Sequence, residues 1–228
     1  MRAIAAGDRS ILLADADEDF LTRLCWVMAQ FEPFYRTPRA VKYAAEMLSD
    51  PDTYRSPRTM LDWVPEWAVT DTRKQVLRAQ VALAGLRQAT PSSKVVTGFG
   101  FEGARDVGGA DADLLCDGLL LDVKAVADPR HRIQRADLLQ LLGYALLDYG
   151  DDYGIERVGF YFSRTGDLVH WEIPELLDLM GCKESLAALR AGMRKRLDEQ
   201  RASARTGLER RWAAAGFQAR LPGRQDHA

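Results

Sequence analysis

Residues 110–124 read ADADLLCDGLLLDVK. Asp117 and Gly118 stand between two apolar runs, and a two-residue hairpin loop needs residues that tolerate positive φ. The pair therefore predicts a tight turn joining two antiparallel strands. Counting outward, Cys116 faces Leu119, Leu115 pairs with Leu120, Leu114 with Leu121, Asp113 with Asp122, and Asp111 with Lys124. Side chains alternate along a strand, so Ala112, Leu114, Cys116, Leu119, Leu121 and Val123 form one apolar face. Asp111, Asp113, Asp122 and Lys124 end the other. Like charges directly opposite each other destabilise a sheet, so a cation belongs between Asp113 and Asp122.

Upstream of the hairpin, VVTGFGF reads as a strand beginning near Lys94, followed by a glycine-rich loop through Gly109. Gly98, Gly100 and Gly103 match G-x-G-x-x-G, but a strand follows where a dinucleotide site needs a helix, so they are assigned to a turn. Thr70 or Asp71 caps a helix over 70–88, with Val76, Leu77, Val81, Ala84 and Leu86 as buried candidates, and Pro91 ends it. Residues 1–10 are a loose start. A helix follows over 15–31, then a second from near Pro38 carrying Val41, Ala44, Ala45 and Leu48 on one side. Residues 49–67, rich in proline and aromatics and including Tyr54, read as an irregular wrap.

Downstream, Asp128 and Pro129 break the chain before a helix over 131–149. Ile133, Leu138, Leu139, Leu141, Leu142, Ala145 and Leu146 give it a broad apolar face, and Asp137, Gln140, Tyr144 and Asp148 a second stripe. A strand over 157–163, a turn at Thr165 and Gly166, and a return strand over 168–173 follow. Pro174 opens a short helix ending near Gly181. Residues 183–212 are helical and strongly charged, and the tail beyond Phe217 is disordered. The division is a helical N-terminal extension over 1–69, an α/β core over 70–181, and a charged helical tail over 182–228.

Composition bounds what such a chain does. The 228 residues are 47% hydrophobic and 28% charged, values of a globular protein able to bury a sizeable core. A formal net charge of −2 excludes a globally basic nucleic-acid binder. From Arg190 onward, however, ten basic residues face four acidic ones, so nucleic-acid contacts belong to patches. Cys25, Cys116 and Cys182 lack the spacing of a metal site and read as reduced, structural thiols. No apolar run is long enough for a membrane span and no signal-peptide core is visible, so the expected location is cytoplasmic, with no membrane partner. The five Trp either anchor the core or stack on bases. His170, alone in a strand, is read as structural, and nothing visibly pairs with His131.

Only six of the 31 basic residues are Lys, which singles out Lys124: an amine can take part in proton transfer as a guanidinium cannot. Two carboxylates converging on one point, with a Lys two residues beyond the second, suit phosphodiester cleavage. Asp113, Asp122 and the Val123 carbonyl offer oxygen ligands for Mg²⁺ or Mn²⁺. The plainer account is a solvated hairpin with an Asp111–Lys124 ion pair. Arg130, Arg132 and Arg135, at the start of the helix carrying Gln140, suit phosphate or simple solvation equally.

Asp113, then Asp122-Val123-Lys124, then Gln140-Leu141-Leu142-Gly143-Tyr144 resembles the motif set of the PD-(D/E)xK nuclease superfamily, in particular its RecB-like exonuclease branch. The resemblance spans about 100 residues. It implies a restriction-endonuclease-like core of helix, three strands, helix and strand, a mixed sheet flanked by helices. It makes Asp113 and Asp122 metal ligands, Lys124 the catalytic lysine, and Gln140 and Tyr144 helix residues facing DNA. The implied activity is a Mg²⁺- or Mn²⁺-dependent deoxyribonuclease of exonuclease or end-processing type, acting on single- or double-stranded DNA in repair, recombination or phage-related processing. The alternative is an inactive nuclease-fold module binding DNA or a protein partner. A protein partner would dock through the N-terminal extension or the C-terminal helix, and the oligomeric state is open. Many members carry a further acid on the helix before the first strand; residues 72–88 hold none, leaving Asp71, Asp106 or Asp111 as substitutes.

Overall fold

Five strands, β1 (Val95–Gly100), β2 (Asp111–Cys116), β3 (Leu119–Lys124), β4 (Arg157–Phe162) and β5 (Asp167–Glu172), form one sheet in that order. The computed structural model describes residues 15–36, 42–53, 55–126 and 133–214. The hairpin turn forms as its chemistry dictates, with Asp117 at φ 45° and Gly118 at φ 78°. The pairs Cys116–Leu119, Leu115–Leu120 and Leu114–Leu121 follow the register counted from the turn. β1 pairs antiparallel with β2, Val95 against Cys116 through Gly100 against Asp111. The Gly118 carbonyl receives the N–H groups of Glu156 and Arg157, and the Lys124 carbonyl that of Ser163. Both ends of β3 thus match the corresponding ends of β4, so the two strands run parallel. Ile173 N–H returns to the Glu156 carbonyl, which makes β5 antiparallel to β4.

The parallel step needs a crossover, and α6 (Arg135–Leu147) supplies it between β3 and β4. The other helices are α1 (Asp15–Arg36), α2 (Lys42–Ser49), α3 (Pro57–Asp62), α4 (Glu66–Ala82), α5 (Ala84–Ala89), α7 (Ile173–Leu179) and α8 (Leu186–Ala214). The fold is α/β, a mixed five-stranded sheet flanked by helices. Chain contacts group residues 1–91, 124–131 and 161–168 into one unit, and 92–123, 132–160 and 169–228 into another. In the first, Val27, Met47, Val64, Ala68 and Val69 form a buried cluster with Trp26, Phe31, Met60, Leu61 and Trp63 against it. In the second, Leu115, Leu119, Leu120, Leu121, Leu141, Val158 and Phe160 are buried.

Several elements depart from the sequence expectation. Leu115 and Leu120 are buried along with Cys116, Leu119 and Leu121, because a strand covered on both faces has no solvent side; Val123 is instead 41% exposed. The expected wrap contains α3, capped by Ser56 in a reciprocal capping box with Thr59. The helix expected over 70–88 begins at Glu66, after Pro65, and is interrupted at Leu83, so neither Thr70 nor Asp71 caps it. Its apolar positions Val76, Leu77 and Val81 are exposed, as is Trp67 at 60%, which removes Trp67 from the core anchors. In α2 the buried residues are Ala44 and Met47, whereas Ala45 and Leu48 are exposed. α6 is shorter than expected, and its Leu139 faces solvent. The expectations for residues 1–10, Pro38, Val41, Tyr54, Asp128, Pro129, His131 and the tail beyond Phe217 lie outside the described residues.

Candidate functional site

The hairpin ladder stops one step short of its two acids. Continued in register, Val123 N–H would donate to the Ala112 carbonyl, since pairs alternate between bonded and non-bonded. Instead the Asp113 carboxylate takes that donor, with Oδ2 accepting from Val123 N–H at 2.7 Å. Asp113 itself is exposed. Opposite it on β1 stands Gly98, at φ 57°, where the β1–β2 pairing skips one position and then resumes. Asp122 is 8% exposed and its Oδ2 is sealed from solvent. One carboxylate is thus fixed by a backbone donor at the surface, and its neighbour on the next strand is buried.

Lys124 closes β3 two residues beyond Asp122 and is half-buried. Its carbonyl accepts from Ser163 N–H at 3.1 Å. Ser163 Oγ donates to Gln75 Oε1 at 2.5 Å, and Arg164 donates to Asp71 Oδ1 at 2.7 Å and to the Ala125 carbonyl at 3.4 Å. Two α4 side chains, Asp71 and Gln75, thereby hold the chain where β3 ends.

On α6, Gln140 and Tyr144 are one turn apart and Gln140 Nε2 donates to Tyr144 Oη at 2.8 Å. The Tyr144 ring stacks on Phe101, centroids 5.6 Å apart and planes at 19°. Phe101 follows Gly100, which pairs with Asp111, so the stack brings α6 to the end of the sheet where β2 begins. Sequence reading put Phe101 at the end of the predicted strand and gave it no role at the site; β1 ends at Gly100, and the spacing of Phe101 from Phe99 could have marked the pair. Tyr153 completes the cluster, tilted against Phe99 at 4.6 Å and donating to the Gly100 carbonyl at 2.9 Å. Arg135 is exposed at the start of α6, and Arg130 and Arg132 lie outside the described residues.

Of the possible additional acids, Asp106 is engaged elsewhere. It accepts from Tyr149 Oη at 3.0 Å and pairs with Arg201 of α8. Burial, then this hydrogen bond, pushes the Tyr149 hydroxyl up to about 12. Gly103 lies beneath that ring: a Cβ there would stand 2.6 Å from Tyr149 Cζ, which gives this glycine a packing role. Asp111 is exposed at the start of β2. Asp148, expected on the same stripe as Gln140, is buried beyond the helix end and meets Arg190 at 3.4 Å. Arg190 also donates to the Ala145 carbonyl at 2.9 Å and pairs with Asp151 at 2.6 Å.

Among the described residues, no three His, Cys, Asp or Glu side chains gather closely enough to hold a metal ion. A set made of Asp113, Asp122 and the Val123 carbonyl is all oxygen, with a carboxylate on each of two adjoining strands. Its chemistry fits Mg²⁺ or Mn²⁺, which keep several waters and need few protein ligands. No described helix is long and apolar enough to cross a membrane. Comparisons with family models, curated proteins and solved structures return no match.

Proposed function

We propose that this chain is a metal-dependent nuclease of the PD-(D/E)xK type, with a restriction-endonuclease-like core, that hydrolyses phosphodiester bonds in DNA. The observation that carries the reading is the end of the hairpin, where Asp113 is locked onto the Val123 backbone beside the buried Asp122. The order of one helix, three strands, a crossover helix and a parallel strand supports it, as does the seating of Tyr144 on Phe101.

In this reading Asp113, Asp122 and the Val123 carbonyl hold Mg²⁺ or Mn²⁺. When bound, such an ion polarises the scissile phosphate and lowers the pKa of a water. The Val123 N–H fixes one oxygen of Asp113 and so orients the carboxylate before any ion arrives. Lys124 contributes an amine that stabilises developing negative charge or moves a proton at the attacking water. Gln140, Tyr144 and Arg135 contact the nucleic acid, with Gln140 orienting the Tyr144 hydroxyl. The RecB-like spacing favours attack at DNA ends.

The test is a cleavage panel of linear and circular, single- and double-stranded DNA and RNA with Mg²⁺ or Mn²⁺. Linear DNA should be degraded and circles spared. Asp122→Ala should abolish cutting, and Lys124→Ala should lower the rate by about 10²-fold or more. Failure of every substrate, with Asp122→Ala indistinguishable from wild type in metal binding, would sink the reading.

A further inference from the structure

The helical unit carries an apolar face that its own core leaves uncovered. On α1, Phe20 and Met28 are 51% and 64% exposed, and Leu24, one turn from each, is half-buried. On α4, Trp67, Leu77 and Val81 are 60%, 59% and 79% exposed. Single exposed apolar residues are ordinary, but Phe20, Leu24 and Met28 stand at i, i+4 and i+8, and Trp67, Leu77 and Val81 fall within roughly a quarter-turn of one another on α4, so each helix presents a surface built for burial.

The ion pairs between these helices set their relative direction. Arg23 donates to the Val64 carbonyl at 3.1 Å and pairs with Glu66, whereas Asp19, one turn earlier, meets Arg73 at 3.8 Å. Falling numbers on α1 match rising numbers on α4, so the helices run antiparallel. On each helix the stripe is displaced from the contact side in the same rotational sense, at 3.6 residues per turn. In an antiparallel pair that sense brings both stripes to one side, as a single two-helix platform. Interpolation between the contacts sets Leu24 about level with Trp67, and the exposed Asp17 about level with the exposed Lys74.

We infer that this platform is a homodimer interface, with α1 of each copy lying on α4 of the other. Charge complementarity selects the occupant. A two-fold axis parallel to the helices preserves height along them, so it must bring level residues together. It therefore places Asp17 over Lys74 of the second copy, and Leu24 beside the second Trp67. α1 carries five acidic and two basic residues, whereas α4 and α5 together carry four basic and two acidic, so the helices that meet across the axis are opposite in net charge. A two-fold axis across the helices would instead set acidic α1 on acidic α1.

The protein should be a dimer by light scattering and sedimentation. Phe20→Glu and Trp67→Glu, both at exposed positions, should each give a monomer with an unchanged far-ultraviolet spectrum. Asp17→Lys should weaken the dimer several-fold, and adding Lys74→Asp should restore it. A monomeric wild type overturns the inference and leaves the face to a different protein. A dimer indifferent to Phe20→Glu and Trp67→Glu also overturns it, as does a double charge swap that fails to rescue. The readout is association, so it stands or falls apart from any nuclease assay.

Discussion

Two clusters around α8 show how single residues carry more than their position in the chain suggests. Arg190 opens what reads as a charged run, yet it is 5% exposed and bonded to Asp148, Asp151 and the Ala145 carbonyl. Burial pushes the Asp148 carboxyl up, against the opposing pull of the Tyr153 and Asp152 N–H groups and of Arg190. Removing one partner leaves a buried charge uncompensated, so Arg190→Ala should destabilise the protein by roughly 3–5 kcal/mol in urea denaturation. Arg190→Met combined with Asp148→Asn should cost distinctly less. Tyr149 gives the second test. Its hydroxyl is raised from 10 to about 12, so the folded state keeps that proton longer than the unfolded chain. The stabilisation from this group is complete below pH 10 and lost as pH rises through about 12. Ultraviolet titration should show Tyr149 among the late tyrosines, alongside Tyr161, which burial also raises, and Asp106→Asn should bring Tyr149 alone down.

At the level of elements, the hairpin is the most legible part of the molecule, because a two-residue turn fixes both register and pleat. Gly118, at φ 78°, has the Gly154 carbonyl 3.0 Å from where a Cβ would stand. Gly118→Ala should therefore cost about 1–3 kcal/mol, read as a lower denaturation midpoint with unchanged slope. The turn, the three central pairs, β4, β5 and the Pro174 helix were all readable from local chemistry. The end of the ladder was not. Alternation predicts Asp113 facing Asp122, but it cannot say that a short carboxylate will displace a backbone carbonyl from Val123 N–H. Helix starts failed for a related reason: Pro65 presets the helical entry ahead of Thr70 and Asp71, which carry equally good cap chemistry.

Across the whole molecule, a net charge of −2 conceals segments of opposite sign, acidic in α1 and basic in α8. Part of the basic excess is consumed internally: Arg190 is buried, Arg194 pairs with Glu102 and lies over the Tyr149 ring, and Arg201 pairs with Asp106. These contacts tie α8 to the 3-10 segment between β1 and β2. Leu186, Leu189, Met193 and Leu197, at helical spacing, are half-buried and give this charged helix an apolar side. Lys195 meets Glu199 one turn on, so exposed cations such as Arg196 are those left for a polyanion, and salt sensitivity of any DNA binding should be modest for so long a basic helix.

The sequence by itself determined the α/β class, the strand order along the chain, the turn and the central register of the hairpin, since these follow from alternation and from residues that tolerate particular backbone angles. It also drew attention to Asp113, Asp122 and Lys124 by register and spacing, and to Gln140 and Tyr144 only through a motif resemblance. Only the tertiary structure decided that Asp113 binds the Val123 backbone, that Phe101 seats Tyr144, and that Arg190 and Asp148 are buried together. Periodicity marks an apolar stripe but not what covers it, and spacing marks a polar side chain but not its partner. Both depend on residues far apart in the chain meeting in space, as Asp148 and Arg190 do.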